Sequence, residues 1–342
     1  MKIGFAYDLK TTHQGPQGVP DEEEEYDPPD TIDALAAEIE RLGHQVVHLG
    51  GGSAFLDAIR RIPVDFVFNI AEGRGAHRSR EAQIPSVLEM LGIPYAGSDP
   101  LTLALCLDKP SAKSVALSAG IPTPPYLLIE QMDDLKGACN GSLTFPVVVK
   151  PAFEGSSKGI NGNSRVDRQE DLEQPVRQIL QRYRQPALVE QFVPGMEVTV
   201  GLVGNNPPEV VAVMEVAPRT GPDENFMYTL DVKRNWQQTI SYRCPPLLPA
   251  SCVQRIEALA GSLFKLLGCR DLARLDFRVA PDERVYFLEA NPLPGLSPQN
   301  SDLPLMASLS GWSYSQLIET ILNVALARCG LLELSHAHRS DL

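Results

Sequence analysis

The chain has 342 residues and a formal charge of −13, with an isoelectric point near 5.0. That length accommodates two or three domains of ~100 to 150 residues, and the acidic surface excludes nucleic acid or an anionic membrane as the main partner while leaving room for a nucleotide held by a few local cations. No run of about 18 apolar residues escapes interruption by charge, and the opening Met1–Lys10 reads as a strand rather than a signal peptide, so the expectation is a cytoplasmic protein without a membrane span. The first elements are three short strands, Lys2–Tyr7, Gln45–Leu49 and Asp65–Ile70, with a helix over Thr31–Leu42 that aligns Ile32, Leu35, Ile39 and Leu42 and stops at Gly43. Strand, helix, strand at this spacing predicts a parallel α/β sheet. Gly50, Gly51 and Gly52 do not spell a dinucleotide fingerprint and read as a tight turn. The acidic run Asp21-Glu22-Glu23-Glu24-Glu25, set among prolines and glycines, reads as a solvated loop. A turn at Glu72-Gly73 precedes a helix starting near Arg80, and a short strand over Ile93–Ser98 closes this part.

Helices are predicted over Leu101–Leu107 and Ser111–Ala119, flanking Lys109, which on its own reads as a surface lysine. Next comes the apolar strand Phe145–Pro151, carrying Lys150 into a setting where an unpaired ammonium is costly and a phosphate partner would compensate it. The following loop, Glu154-Gly155-Ser156-Ser157-Lys158-Gly159, is built of small residues whose backbone N–H groups can close around phosphate oxygens. It is not a Walker A loop, because G-x-x-x-x-G-K-[ST] is absent. Leu188–Val198 reads as strand, turn, strand. The six cysteines show no C-x-x-C pair, which fits reduced thiols packed in cores.

Strands Val198–Val203 and Glu209–Val216 are followed by a long polar stretch, Pro218–Trp236, of the kind that serves as a lid. An amphipathic helix over Gln254–Leu267 leads to a hairpin. Ala273–Arg278 and Val285–Glu289 alternate at the strand period around the turn Pro281–Arg284, which sets Arg274 and Asp276 on one face and Glu289 and Asn291 on one face. Where those faces coincide, Asp276, Glu289 and Asn291 make an oxygen-rich cluster suited to Mg²⁺, with Arg274 beside it. On pattern alone, a solvated hairpin whose charges face water reads equally well. Ser313–Ala327 is helical, and Leu331–Leu342 is a tail.

RLDF followed by FLEANPLPG, together with V-V-V-K-P, E-G-S-S and L-V-E-x-F-x-x-G-x-E in this order, resembles the D-alanine–D-alanine ligase family of the ATP-grasp superfamily over roughly residues 66–326. The resemblance implies an α/β (α+β) three-domain ATP-grasp fold: an N-terminal parallel α/β domain at 1–100, a central subdomain at 101–193, and a C-terminal subdomain at 194–330 with a tail at 331–342. It implies ATP as cofactor with two Mg²⁺ ions, or Mn²⁺, on Asp276, Glu289 and Asn291. The nucleotide would meet Lys109, Lys150, Glu154, Gly155, Ser156 and Ser157 at the phosphates, Glu190 and the Gln191, Phe192 and Val193 backbone at the adenine, and Glu197 at the ribose. Arg274, Gly295 and Ser301 would face the reacting carboxylate, and Lys233 the γ-phosphate. The reaction implied is ATP-dependent joining of a carboxylate to an amine through an acylphosphate, on small-molecule amino-acid or amine substrates, and the family suggests a homodimer.

The chain departs from that pattern in three places. Asp8–Gly18 lacks the family's glycine-rich turn with serine and glutamate; Glu72-Gly73 stands where a histidine-glycine pair is usual; and Arg234 takes the tyrosine position of the lid. The missing N-terminal motif favours a competing reading, a ligase joining an amino acid to a different acceptor, such as another amino acid or a mycosporine-like molecule. The acidic run also gains a second reading, as a contact for a substrate ammonium. A nucleotide-binding module without turnover is the alternative outside the enzyme class, and the missing glycine fingerprint argues against a nicotinamide dehydrogenase.

Overall fold

The computed structural model describes residues 1–10, 21, 23–135, 143–221 and 223–332; Glu22, Cys139 and the tail from 333 onward lie outside them. Three sheets build the chain. Strands β1 (Lys2–Ala6), β2 (Gln45–Gly50) and β3 (Phe66–Asn69) form a parallel sheet in the order β2-β1-β3. Both faces of β1 and β3 are covered, which is why those two strands read as largely apolar runs, while the edge strand β2 keeps Gln45 and His48 exposed. Phe5 and Phe68 face helices α1 (Pro29–Arg41) and α11 (Tyr314–Arg328), while Ala6 and Val67 face α2 (Gly52–Ile59) and α3 (Gln83–Leu91). Helix α1 ends as its sequence predicts, with Gly43 at φ +85°. Two expectations change here. The triple glycine is not only a turn, since Gly51 is the N-cap of α2, and Ile93–Ser98 is not a strand but a single parallel bridge from Val67 to Tyr95.

The second sheet is antiparallel, in the order β4-β7-β5-β6, from β4 (Tyr126–Ile129), β5 (Val147–Pro151), β6 (Arg165–Val166) and β7 (Ala187–Gln191), and α6 (Glu173–Arg182) packs on it through Val176 and Ile179. The third, also antiparallel, runs β10-β9-β8-β11-β12, with β8 (Met196–Val203), β9 (Glu209–Pro218), β10 (Ile240–Arg243), β11 (Leu272–Val279) and β12 (Val285–Asn291). One face carries α9 (Ala250–Leu266) and the small side chains of α5 (Lys109–Ser118). The other carries α10 (Asp302–Leu309), whose close approach depends on Gly201: a Cβ there would lie 2.6 Å from Leu303 Cδ1. Helix α4 (Pro100–Leu107) is separated from α5 only by Asp108, which accepts from Ser111 N at 3.1 Å.

The first and third sheets are joined by a buried carboxylate. Asp271 is fully buried at φ +65° and accepts from Gly97 N at 2.8 Å, Asn205 Nδ2 at 2.9 Å, and Arg328 Nε and Nη2 at 2.8 and 2.7 Å. A carboxylate satisfied by this many donors fixes the segments that supply them. The cleft lies elsewhere, where residues from all three parts of the chain line common cavities.

Candidate active site

Two cavities open in that cleft, one of about 410 Å³ and one of about 120 Å³, and Lys109 and Glu289 line both. The hairpin supplies the wall between them. Its register sets Asp276 directly opposite Glu289 and Arg274 opposite Asn291, with a bulge after Asp276. Asp276 accepts from Arg274 Nη2 at 2.8 Å, Asn291 Nδ2 at 3.1 Å and Thr199 Oγ1 at 2.6 Å, so the two predicted faces coincide. Glu289 Oε2 lies 3.3 Å from Lys109 Nζ. Burial alone would raise the Glu289 carboxyl, but Lys109, Lys150 and Arg274 outweigh it and hold it down at about 2. Two carboxylates and an amide oxygen are a donor set that fits Mg²⁺. Among the described residues no group of three or more His, Cys, Asp or Glu side chains is arranged to hold a metal, so an ion here would complete its shell with the Asn291 amide, water and substrate oxygens.

The smaller cavity lies between the second and third sheets. Lys150, buried at the end of β5, lines it, and so do Glu190, Val193 and Glu197. Glu190 Oε2 sits 2.9 Å from Lys113 Nζ and 3.5 Å from Lys150 Nζ. It is therefore first a countercharge for two lysines. Lys113 follows Lys109 by one helical turn on α5, and that spacing was the signal that sequence reading passed over. Of the three hinge residues, Gln191 N donates to Pro125 O at 2.8 Å and Phe192 N to Pro146 O at 2.9 Å. These two N–H groups are thus committed to the protein rather than open to an adenine. The Val193 N–H takes no partner among the described residues. Arg165 and Arg278 both stack on the Phe192 ring, 4.7 and 5.0 Å from its centroid. Burial pushes the Glu197 carboxyl up to about 7 despite Arg278 Nη1 at 3.1 Å.

The glycine-serine loop closes over the seam. Ser156 and Ser157 both adopt left-handed φ, +49° and +57°, a conformation disfavoured for non-glycine residues and concentrated at functional loops. Ser157 Oγ donates to Tyr228 O at 3.0 Å, and Lys233 Nζ donates to Ser156 Oγ at 3.3 Å. The long polar stretch that carries these partners is partly helical, ending in α7 (Leu230–Arg234) and α8 (Trp236–Thr239). Glu154 does not reach toward a ligand first. Its Oε2 lies 2.5 Å from Lys158 Nζ and 3.3 Å from Arg80, and its backbone oxygen accepts from Lys109 Nζ.

The larger cavity brings together Arg274, Gly295, Ser301, Lys233, Asn291 and Ser156. Gly295 is hemmed in by Ser301, whose Oγ would lie 2.6 Å from an added Cβ. The opposite wall contradicts the solvated-loop expectation for the acidic run. The Glu25 side chain is 5% exposed, accepts from Arg80 Nη2 at 2.8 and 2.9 Å, and also holds Lys158 Nζ at 3.0 Å and Gly155 N at 2.7 Å. Asp21 accepts from Tyr183 OH at 2.7 Å and Gly159 N at 3.0 Å. Glu24 pairs with Arg234 Nη2 at 2.8 Å. Asp21, Glu24 and Glu25 are thus turned inward and tied to both lids.

Comparison with known proteins agrees with this geometry. The family model for the C-terminus of D-ala D-ala ligases matches residues 115–323. The chain belongs to the D-alanine–D-alanine ligase family. It is 35% identical to the D-alanine–D-alanine ligase of Pelotomaculum thermopropionicum over 81% of its length and 86% of that protein's, and 34% identical to the uncharacterised y4sG protein of Sinorhizobium fredii over 86% and 87%. Among solved structures it resembles the Bacillus anthracis D-alanine–D-alanine ligase complexed with ATP (TM-score 0.70, 21% identity, 96% and 98% covered). It resembles the VanG D-Ala:D-Ser ligase of Enterococcus faecalis to the same TM-score, at 21% identity, with 95% and 99% covered. The expected ATP-grasp architecture is therefore present, and the chain is an ATP-dependent ligase of this family. No described helix is long and apolar enough to cross a membrane. Within the family frame, what sequence reading missed is the N-terminal wall: Glu25, Arg80 and Lys158 come from three separate segments, and no spacing rule links them.

Proposed function

We propose that the chain joins the carboxylate of one small amino-acid-like substrate to the amine of another, using ATP and passing through an acylphosphate. The observation that carries this reading is that Lys109 and Glu289 line both cavities. A triphosphate whose base lies at the Val193 hinge would end at this seam, where a carboxylate in the larger cavity can reach its terminal phosphorus.

In this reading Lys150 and Lys109 take the phosphate oxygens, the Gly155–Ser157 backbone encloses them, and Glu197 accepts from the ribose hydroxyls. Asp276, Glu289 and Asn291 would hold Mg²⁺, which when bound neutralises charge on the phosphate oxygens. The first substrate's carboxylate oxygen attacks the γ-phosphorus as the bond to the β-γ bridging oxygen breaks, and ADP leaves. The amine nitrogen of the second substrate then attacks the acyl carbon, phosphate departs with the former carboxylate oxygen, and the amine loses a proton. Arg274 and the Gly295 N–H face the tetrahedral oxyanion, as fixed donors that need no reorganisation. Lys233 contacts the transferring group, and the two lids exclude water from the acylphosphate. No side-chain nucleophile is needed.

The identity of the two substrates stays open between D-alanine pairs and other partners, because ligases with different second substrates match the fold equally well. Glu72, in place of a histidine, and the inward acidic run support the reading in which the partner is not D-alanine. Product mass spectrometry with ATP, Mg²⁺ and a panel of D- and L-amino acids, alongside ADP release, tests the proposal. A product heavier than either substrate with one ADP per bond is expected, and ATP left intact with every pair would exclude it.

A further inference from the structure

Three carboxylates on the N-terminal wall of the larger cavity have no paired cation among the described residues. Asp27, Glu72 and Glu81 line the cavity, yet none has a hydrogen bond or ion pair from a side chain among the described residues. Glu81 is 8% exposed, which makes it a nine-tenths buried acid lining the cavity with no direct ion-pair partner among the described residues. The nearby bases are already taken. Arg80 is held by both oxygens of Glu25 and by Phe153 O at 2.6 Å, and Lys109 is held by Glu289 and the Glu154 carbonyl. Lys158 lies between Glu25 and Glu154, and Lys10 and Arg234 share Glu24.

We propose that the substrate lodged against this wall is dibasic, carrying a second ammonium or a guanidinium besides its α-ammonium, with the extra cation seated on Glu72 and Glu81. One α-ammonium would compensate only one of three unpaired acids, and a second cationic group compensates another. Ionised acids buried without a partner are expensive, and a charged ligand removes that cost. The state of the free wall agrees. Burial, then mutual repulsion with Glu81 and Glu25, pushes Glu72 well above the carboxylate range, and burial pushes Glu81 up to about 7 against the pull of Arg80 and Lys109. This inference rests on the ligase reading only for the chemistry after binding, and it narrows the substrate class of the same cavity.

The test is calorimetric titration of the full chain, loaded with a non-hydrolysable ATP analogue and Mg²⁺, with lysine and ornithine against their uncharged isosteres norleucine and norvaline, each as both enantiomers. Charge-assisted pairing in a buried site predicts one dibasic amino acid binding about ten- to a hundred-fold tighter than its isostere. Glu81→Gln should remove most of that preference. Glu72→Gln provides the same reading if the first variant does not fold, which thermal melting will show. Equal affinity for charged and uncharged members, or no binding by any of them, overturns the inference. Turnover separates it from the ligase reading. Neutral amino acids that bind equally well and yield ADP and product leave the ligase reading standing and remove this one, whereas dibasic binding with no ADP from any pair does the reverse.

Discussion

Lys109 Nζ stands 3.3 Å from Glu289 Oε2, across the seam where the two cavities meet. Each residue comes from a different part of the fold, α5 and β12, so the pair reports whether the cleft is assembled. Glu289→Gln and Lys109→Met should each lower the rate of ADP release by roughly 10²–10³, the usual cost of removing one preorganised electrostatic contact. Glu289→Gln also takes the carboxylate from buried Lys109, so its melting temperature should fall, and the rates are compared below the variant's melting range. A rate within threefold of wild type for both variants would remove this seam from the reaction.

Glu190 should matter for stability as much as for the nucleotide. It lies between the buried ammonium groups of Lys113 and Lys150, and burial already pushes Lys113 down to about 8. Glu190→Gln leaves two buried cations without their carboxylate and is expected to cost roughly 3–5 kcal/mol, read by urea or thermal denaturation. Lys113 lies below its unfolded value of 10.5 and so binds fewer protons in the folded state; loss of Glu190, which holds it up, lowers it further, so the variant should regain stability as pH rises through about 8 toward 10. ATP, by offering phosphate to Lys150, should raise the variant's melting temperature more than the wild type's.

How much of this was legible beforehand divides along a physical line. The hairpin of Asp276 and Glu289, the Lys150 strand and the Ser156-Ser157 loop are each contiguous, so period and residue type carry the signal. Burial of the Lys150 strand was legible too, because an apolar strand ending in lysine needs a partner, whereas the hairpin's alternation reads equally well as a solvated one. The acidic run was not. Its composition is that of a solvated loop, and what turns it inward is Arg80 and Lys158, 55 and 133 residues away in sequence. Glu154, Gln191 and Phe192 sit where the motifs put them, yet their polar groups meet the protein first, a choice made by tertiary neighbours such as Pro125, Pro146 and Lys158.

Opposing carboxylates give the free protein an unusual pH profile. Asp27 and Glu81 are carried up to about 7 in the folded chain from 3.8 and 4.5, in both cases chiefly by burial. Arg80 and Lys109 pull Glu81 down, while Glu25, Glu154 and Glu72 push it up. Between those limits the folded state holds more protons than the unfolded one, so this contribution is full below about pH 4 and is lost as pH rises through 7. Glu25 acts the other way, held at about 2 by Arg80 and Lys158 against its burial, so its contribution is present above 4.5 and lost toward pH 2. Stability should therefore peak near pH 5 and fall by pH 8. Glu81→Gln should flatten the fall by roughly 3 kcal/mol at most. Denaturation midpoints at pH 5 and 8, for both proteins, check it, and a wild type more stable at pH 8 than at pH 5 contradicts it.

A side chain at Gly295 fits only if the Ser301 hydroxyl moves. A Cβ there would meet Ser301 Oγ at 2.6 Å, and that oxygen already accepts from Ser297 N at 3.0 Å. Gly295→Ala should therefore displace Ser301 and the start of α10 at the floor of the larger cavity, raising KM for the amino-acid substrates about tenfold or more while leaving KM for ATP near wild type. Steady-state kinetics with each substrate varied in turn separates the two, and an equal rise in both constants would place the effect on folding instead.

The last relationship to test is the latch between Glu24 and Arg234. The ion pair of 2.8 Å joins the acidic run to α7, beside Lys233 and its 3.3 Å contact with Ser156. Arg234 is 42% exposed, so the pair itself adds little to stability. Its consequence lies in the lid: Arg234→Ala removes the ion pair that ties α7 to the N-terminal wall and leaves α7 its contacts with the glycine-serine loop segment, Lys233 to Ser156 and Leu230 N to Ile160 O, so water should reach the acylphosphate more often. The expected outcome is ADP release that continues while product falls, giving an ADP-to-product ratio several times above one. A melting temperature within a degree or two of wild type should accompany it. Arg234→Lys, which keeps charge but loses the fork, should fall between the two. A ratio of one in Arg234→Ala would show that the lid closes without this pair.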